Sequence, residues 1–570
     1  MVKKIFSFIL LVLFSSHLVA KTRTTQEILS LAQQAINQKT AYSKVKSVKN
    51  SAKLSILRKE SQLTLVGDER QRCVIISNDD AIKPVLGYTD APMGENVAPG
   101  FLWWVQTINA SLEIMLSDDA QPVTVERNAA YQVAVPELLT TKWGQDLPYN
   151  KLCPEYTEKG VSTHYVTGCV ATAMAQIMNY HKYPLQGAGR YSYRYNPGDG
   201  ATLTLVADFK NTTYDWDNML DEYVAGTYNE VQANAVATLM YHCGVSVKMN
   251  YTKDGSGAYT ADACRALRKY FVYNSNIKCY DRRFFPVDEW MQIIYREIND
   301  KCPVLYGGQS SAGGHEFVFD GYDEDGLVHV NWGWNGSEDG YFDIASLNGF
   351  SSGQQMVVVR PATDDRFTEP YKSLWGLNGD LTITKFADNL TVKTGTLYNL
   401  DVDDFVGAVS LVAKDMNDQS IKVLDYVYDS TDKFPYLNGF TYNDFKVNVK
   451  SLSDGSSLPD GQYRLFLATK SINEDEWQPV RSYESTRNSY ILTMKNGAIS
   501  ALTAEKTSNW TAAISQVSTT ASQSSPYTYI YNVQGQEIYK APTASFRLID
   551  VPAHGILIVK QGNVVKKIVK

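Results

Sequence analysis

Short runs of alternating apolar and polar residues dominate the chain between about residues 370 and 505. The runs at 381–385, 421–428, 445–449 and 463–469 are separated by turns rich in Asn, Asp and Gly. A period of two residues is typical of strands with one buried face, and many short strands of this kind favour two packed sheets. We therefore predict that residues 370–510 form an immunoglobulin-like β-sandwich domain.

The part of the chain before this region mixes helical and strand patterns. A helix is predicted over residues 24–37, where Thr24 and Glu27 form a capping box and apolar residues then recur at helical spacing. Residues 102–116 form a second helical pattern, and short strands are predicted between the two helices. These elements predict a small α+β domain over residues 21–130.

Residues 131–361 make up the next predicted domain, which is also α+β. Helices are predicted from Cys169, over 229–242 and over 261–270, and three strands follow between residues 302 and 332. Six of the seven cysteines lie between residues 153 and 302, and the odd number implies at least one free thiol.

Both ends of the chain carry segments that lie outside these domains. Residues 1–20 combine two lysines with a largely apolar run at 5–14, in which Ser7 is the one polar residue, a pattern typical of a cleaved secretory signal and too short to span a bilayer. Residues 511–525 are rich in Ser, Thr, Ala and Gln and are predicted to be a linker. Residues 526–570 are predicted to form a small closing β-domain. Because of the signal segment, the chain is expected to be exported through the periplasm.

Charge and spacing exclude several classes of function. The formal net charge of −7 disfavours a protein that binds the backbone of nucleic acids. No later stretch is long and apolar enough for a transmembrane segment. Neither zinc-ligand spacing nor a phosphate-binding glycine loop occurs, so no metal and no cofactor are expected.

Cys169 is the strongest candidate for a nucleophile. It follows the turn residue Gly168 and opens a predicted helix. The unpaired N–H groups and the dipole at a helix start favour an anion, which lowers a thiol pKa and yields the nucleophilic thiolate. A cysteine in an apolar helix is more often a core residue, so the interpretation depends on its partners.

Three further segments supply those partners. His315 begins a predicted strand behind Gly313 and Gly314, which leave room for a substrate backbone, and could act as acid and base. Asn331 or Trp332, at the end of the next strand, could orient the imidazole. Upstream, Gln145 offers a side-chain amide for a developing oxyanion, so that the order of the four is Gln, Cys, His, Asn.

The sequence resembles the streptopain-type cysteine peptidases, which are secreted bacterial zymogens with a papain-like fold. The matching strings are WGQDLPYN at 143–150, TGCVATAMAQIM at 167–178, GGHEF at 313–317 and VHVNWGW at 328–334. A weaker match at 73–77 and 85–88 resembles the pro-domain of the family.

The resemblance implies a papain-like catalytic domain over 131–361, preceded by an inhibitory pro-domain. Cys169 would be the nucleophile, His315 the acid and base, and Gln145 an oxyanion-hole donor. Either Asn331 or Trp332 would orient the histidine. The expected lining of the substrate cleft is Gly168, Gly313, Gly314 and Trp334. The expected partners are protein substrates and the chain's own pro-domain.

Residues 530–538, 554–560 and the basic end at 566–570 resemble the C-terminal sorting domain of type IX secretion cargo. A simple end of a β-sandwich remains the alternative for this segment. Two other functions also remain open: an amidase or acyltransferase that uses the same Cys-His pair, and a surface adhesin whose β-sandwich binds a ligand.

Overall fold

The computed structural model describes most of the chain in two compact units, residues 1–508 and 509–570. The described residues are 21–39, 53–70, 72–117, 125, 127–196, 202–253, 255–310, 313–347, 353–369, 371, 373–483, 486–505, 527–531, 537–542, 556–561 and 564–569. Within these residues no helix combines the length and the apolar character needed to cross a membrane. The predicted signal segment at 1–20 and the predicted linker at 511–525 lie outside the described residues.

Among the described residues, six α-helices form where the sequence carries helical periodicity. Thr24 and Glu27 bond each other reciprocally at the start of the first helix, and Asn229 and Gln232 do the same at the start of the fourth. The helices are α1 Thr25–Lys39, α2 Pro99–Ser117, α3 Cys169–His181, α4 Glu230–Ser246, α5 Thr260–Lys269 and α6 Val287–Asn299.

A ten-stranded antiparallel sheet runs through the first unit, and two separate strand pairs, β5–β6 and β7–β8, accompany it. Its strand order is β1-β2-β3-β4-β13-β12-β11-β10-β14-β9. The strands up to residue 358 are β1 Ser55–Lys59, β2 Leu63–Gly67, β3 Val74–Ser77, β4 Val85–Thr89, β5 Glu155–Glu158, β6 Val161–His164, β7 Tyr191–Tyr195, β8 Leu203–Ala207, β9 Cys279–Asp281, β10 Val304–Ser310, β11 Gly313–Tyr322, β12 Val328–Asn331, β13 Gly340–Phe342 and β14 Gln355–Val358.

The two faces of this sheet pack against different helices. Val318 of β11 belongs to a core that includes α3, α4 and α5, whereas Phe317 and Phe319 belong to a core that includes α2 and α6. Alternate residues of one strand point to opposite faces, so β11 contributes to both cores. This alternation decides what surrounds each side chain near His315.

The first four strands join the sheet through the pairing of β4 with β13. Gly87 lies opposite Phe342, and Gly340 lies opposite Thr89. A Cβ on Gly340 would lie 2.2 Å from the backbone oxygen of Tyr88, so this close approach requires glycine. The predicted boundary near residue 130 therefore does not coincide with a break in the sheet, which continues from residues 55–89 into the following segment.

The β-rich region after residue 370 is confirmed, while its immunoglobulin-like sandwich topology stays a prediction. Its sheets have four, three and six strands and enclose a core of their own that includes Trp375. The strands are β15 Trp375–Asn378, β16 Thr382–Phe386, β17 Asn389–Lys393, β18 Thr396–Asn399, β19 Phe405–Asp415, β20 Ile421–Phe434, β21 Gly439–Thr441, β22 Phe445–Asn448, β23 Gly461–Ser471, β24 Gln478–Pro479, β25 Arg481–Ser482, β26 Ser489–Lys495 and β27 Ala498–Glu505.

Ion pairs join this region to the preceding one. Arg481 bonds the carboxylate of Glu289 and donates to the backbone oxygen of Phe284 at 2.8 Å. Lys278 pairs with Asp401, and both side chains are largely buried. The β-rich region is thus attached to α6 and to the approach to β9.

The second unit contains a four-stranded antiparallel sheet in the order β29-β28-β30-β31. Its strands are β28 Tyr527–Tyr531, β29 Glu537–Pro542, β30 Ile556–Gln561 and β31 Val564–Val569. The predicted closing β-domain is therefore built of strands.

Candidate active site

Cys169 occupies the first position of α3, as the sequence predicts. Gly168 before it has φ 88° and ψ 142°, a conformation that L side chains rarely adopt. A Cβ on Gly168 would also lie 2.8 Å from the backbone oxygen of Ser256. Glycine is therefore required to turn the chain into the helix and to present a half-buried thiol at its start.

The electrostatic surroundings of the thiol differ from the expectation. Burial raises the pKa of Cys169 to about 11, and the nearby charge of Glu316 acts in the same direction. Hydrogen bonds from the backbone N–H groups of Glu316, Val170 and Cys169 lower the pKa without reversing the shift. The prediction that the helix start lowers the pKa of the Cys169 thiol is therefore wrong for the full-length chain, because desolvation outweighs the effect of the N–H groups.

The backbone bond from Glu316 also locates His315, the preceding residue of β11. Burial lowers the pKa of the His315 imidazole, so the ring is neutral near pH 7 and able to accept a proton. Within the described part of the chain, no hydrogen bond joins this ring to the Cys169 thiol. The structure thus brings α3 and β11 together, while Cys169 and His315 are not hydrogen-bonded to each other.

Helix α2 packs on the face of β10 and β11 that Gly308 and His315 share. Gly308 pairs with His315 across β10 and β11, and a Cβ on Gly308 would lie 2.0 Å from the Trp103 ring. Trp103 also packs against Phe317, with ring centroids 5.6 Å apart. A Cβ on Gly100 would lie 2.7 Å from the Trp332 ring. The segment before residue 118 therefore packs closely on the histidine strand and on Trp332.

Gln145 is buried, and the loop that carries it is hydrogen-bonded to the segment just before Cys169. The Thr167 N–H donates to the backbone oxygen of Gln145 at 3.1 Å. The preceding Trp143 is anchored by its N–H to Gln176 Oε1 at 3.3 Å and by its indole to Leu220. The structure therefore places Gln145 beside the helix that carries the nucleophile.

Asn331 is engaged elsewhere than at His315. Its Oδ1 accepts from Gln176 Nε2 at 2.9 Å and from the Gly333 N–H at 3.0 Å, and its Nδ2 donates to the Thr141 backbone oxygen at 2.9 Å. Thr141 also donates to Gln176 Oε1 at 2.9 Å. The carbonyl oxygen of Asn331 thus has both lone pairs in use, and the residue connects α3 to the loop that carries Gln145.

Trp332 also bonds to groups other than His315. Its indole donates to the Glu338 backbone oxygen and its backbone N–H to Asp339 Oδ1, both at 2.8 Å. Trp334 is half-buried two residues later. Gly313 has φ 127° and open space where a Cβ would be, and Gly314 follows it at the strand edge.

Two buried polar residues near the site are missing from the sequence-based set. Gln176 lies on the apolar stretch of α3, and a buried polar residue within that stretch is a signal that the sequence offers. Glu316 follows His315 directly and is 4% exposed. Thr260, at the start of α5, donates to its carboxylate at 2.8 Å, and no local pattern reveals this contact between distant residues.

A model of the "Peptidase C10 family" matches residues 143–342, which include Gln145, Cys169 and His315. Streptopain of Streptococcus pyogenes is 36% identical over 292 residues, covering 48% of this chain and 72% of streptopain. This chain belongs to the peptidase C10 family. It is a cysteine endopeptidase, and the sequence-based prediction of that activity is confirmed.

Two further proteins are similar to this chain. The thiol protease/hemagglutinin PrtT of Porphyromonas gingivalis is 29% identical over 367 residues, covering 59% of this chain and 41% of PrtT. A prointerpain A fragment from Prevotella intermedia is 40% identical, covers 53% of this chain and 97% of the fragment, and superposes with a TM-score of 0.49.

Proposed function

We propose that this chain is the secreted zymogen of an endopeptidase that cleaves proteins through Cys169, His315 and Gln145 in a papain-like catalytic domain. The thiolate of Cys169 attacks the scissile carbonyl, and the sulfur–carbon bond forms as the carbonyl electrons move to oxygen. The Gln145 amide and the Cys169 N–H donate to that oxyanion. His315 first takes the thiol proton, which it gives to the leaving amine as the tetrahedral intermediate collapses and the C–N bond breaks. The neutral imidazole then takes a proton from the water that attacks the acyl-enzyme, and returning that proton to the departing sulfur frees the carboxylic acid product.

One observation carries this proposal. The helix start at Cys169, the strand position next to His315 and the Gln145 loop are linked by direct backbone bonds, from Glu316 to the thiol and from Thr167 to Gln145. Nucleophile, acid–base residue and oxyanion donor must converge on one carbonyl carbon, and these bonds bring their three segments to one place.

Latency is the second part of the proposal, with residues 21–130 as the inhibitory pro-domain. Helix α2 buries the strands around His315, and the desolvated thiol has a raised pKa. Removal of α2 would expose the face that Trp103 covers and admit water to the histidine strand. His315 could then approach Cys169, and the N–H groups at the start of α3 would stabilise the thiolate.

Export completes the proposal. Residues 1–20 would direct the chain to the periplasm, and residues 526–570 would be recognised by the type IX secretion machinery, leaving the enzyme secreted or at the cell surface. The four-stranded sheet of the second unit is compatible with a separable sorting domain. Asn331 and Trp332 remain candidates for orienting His315 once the pro-domain has left.

The test is hydrolysis of casein by the activated chain and its variants. We expect Cys169→Ala and His315→Ala to abolish hydrolysis, and Gln145→Ala to reduce the rate about 10²- to 10³-fold, since it removes one oxyanion donor. Cys153→Ala, which changes a buried free cysteine outside the proposed catalytic set, is the matched control and should retain activity. Substantial hydrolysis by Cys169→Ala would refute the assignment of the nucleophile.

A further inference from the structure

Glu316 is a buried carboxyl group at the reacting thiol that the catalytic steps leave without a task. It follows His315 on β11, and the alternation of the strand directs it to the other face, toward α3 and α5. Thr260, at the start of α5, donates to Glu316 Oε2 at 2.8 Å. Gly307 lies opposite on β10, and a Cβ there would be 2.4 Å from the same oxygen. The absence of a side chain at Gly307 therefore makes the space that the carboxyl group fills.

The second oxygen of this carboxyl group is unpartnered. Glu316 is 4% exposed, and within the described residues Oε1 is buried with no hydrogen-bond partner. A buried acceptor without a donor destabilises the fold, and an ionised one does so more strongly. Burial raises the pKa of Glu316 to about 8. Once ionised, the carboxylate in turn raises the pKa of the Cys169 thiol.

The buried carboxyl group of Glu316 disfavours both folding and formation of the Cys169 thiolate. We therefore expect its role to lie in the complex with a ligand. A cation placed against Glu316 would supply the missing donor. It would also compensate the negative charge that opposes the Cys169 thiolate. Both effects favour the complex with a cationic ligand over the free enzyme, and the ligand that this site must receive is a peptide.

The surface next to Thr260 and the start of β11 is open and carries an exposed aromatic residue; we call this surface the rim. Tyr259 directly precedes Thr260 and is 78% exposed. Gly257 and Gly313 have no atom within 4 Å of the position of a Cβ. An aromatic ring at the rim and a carboxylate below it suit the long apolar stem and charged head of lysine or arginine.

We propose that Glu316 is a specificity-determining residue, whose carboxylate receives the cationic head of a lysine or arginine side chain on the acyl side of the scissile bond. The acyl side follows from His315, which projects from the other face of β11 and protonates the leaving amine. This inference rests on the proposed function of Cys169 and His315. On binding, neutral Glu316 releases its proton to water and pairs with the substrate cation.

The test uses the activated full chain and fluorogenic peptide amides that carry Lys, Arg or norleucine at either of the two residues before the cleaved bond. Norleucine keeps the apolar stem and lacks the charge. We expect kcat/KM for the Lys peptide to exceed that for norleucine about 10- to 100-fold at one of the two positions, the range of a charge-assisted hydrogen bond. Glu316→Gln and Glu316→Ala should both reduce this ratio to about 1.

Glu369→Gln provides the matched control. Glu369 is also buried at 6% exposure, and it bonds the Tyr280 hydroxyl, well away from the thiol along the chain. This variant should keep the preference for Lys. The wild-type preference should also grow as pH rises toward 8, because ionisation of Glu316 favours cation binding, and Glu316→Gln should lose that trend. Within the described residues, the other titratable groups that interact with Glu316 are the thiols of Cys169 and Cys279.

The outcomes separate this inference from the proposed function. Hydrolysis of casein that depends on Cys169, together with equal use of Lys and norleucine peptides, would overturn the specificity role alone. A Lys preference that survives in Glu316→Ala would also overturn it. If Glu316→Ala fails to fold, Glu316→Gln, which keeps the bond to Thr260 and removes the charge, decides the question.

Discussion

Replacing Trp103 with Ala tests whether α2 holds the zymogen closed. The Trp103 side chain is 3% exposed and fills the space above Gly308, opposite His315. It also contacts Phe317 at a centroid distance of 5.6 Å. Truncation would remove the contact of the Trp103 ring with these two strands while leaving the catalytic residues unchanged.

The expected magnitude follows from burial. Replacing a fully buried Trp with Ala costs about 3–5 kcal/mol, and each 1.4 kcal/mol changes an equilibrium constant tenfold. If α2 must separate from β10 and β11 before cleavage, the substitution destabilises the closed state by this full free energy and leaves the open state unaffected. The open fraction of the zymogen should then rise about 100- to 3,000-fold.

The assay measures trimming in trans. Full-length Cys169→Ala cannot process itself, so active enzyme is added at fixed concentration and cleavage within 117–136 is followed by mass spectrometry. When opening and closing are fast relative to cleavage, the rate follows the open fraction. The double variant Cys169→Ala, Trp103→Ala should therefore be trimmed faster by roughly the factor above.

The matched control removes the same side chain elsewhere. Trp375 is 1% exposed in the core of the β-rich region, so Trp375→Ala produces a similar loss of volume away from α2. It should leave trimming within 117–136 unchanged. Equal trimming rates with and without Trp103 would refute the reasoning that α2 packing controls latency.

Three further predictions follow from other contacts. Asn331→Ala should lower kcat/KM about tenfold or more, because the loss of its hydrogen bonds costs about 1–3 kcal/mol and loosens the Gln145 loop. The pH–rate profile should not shift. A shifted profile would instead indicate that Asn331 orients His315. Asp90→Asn should reduce zymogen stability by about 1 kcal/mol, since Asp90 and Asp320 bond His329 at 2.9 and 2.5 Å and raise its pKa well above 6.5. A raised pKa stabilises the folded state below the ordinary value and loses that effect as pH rises through the folded value, so the difference in Tm should shrink at alkaline pH. Deleting residues 526–570 should leave specific activity on casein intact and retain the chain in the periplasm of a bacterium with type IX secretion, as measured by cell fractionation; equal release of both chains would contradict the sorting role.

Local signals in the sequence were sufficient for the elements that carry the reaction. Gly168 before an apolar helical stretch predicted where α3 begins, and the glycines before His315 predicted the start of a strand. Both depend on interactions within a few residues, namely backbone conformation and side-chain periodicity. The β-rich region after residue 370 could be predicted for the same reason, whereas the peptidase activity was predicted from the resemblance of four short strings to a known family.

Only the tertiary structure decided how those elements act on one another. The pairing of β4 with β13, the position of Trp103 over Gly308 and the bonds of Asn331 to Gln176 join residues far apart in the chain. The pKa of Cys169 was predicted in the wrong direction because desolvation depends on everything packed around the thiol, including α5 and Glu316. Burial and register between distant strands are properties of the assembled fold, and a local pattern carries no information about them.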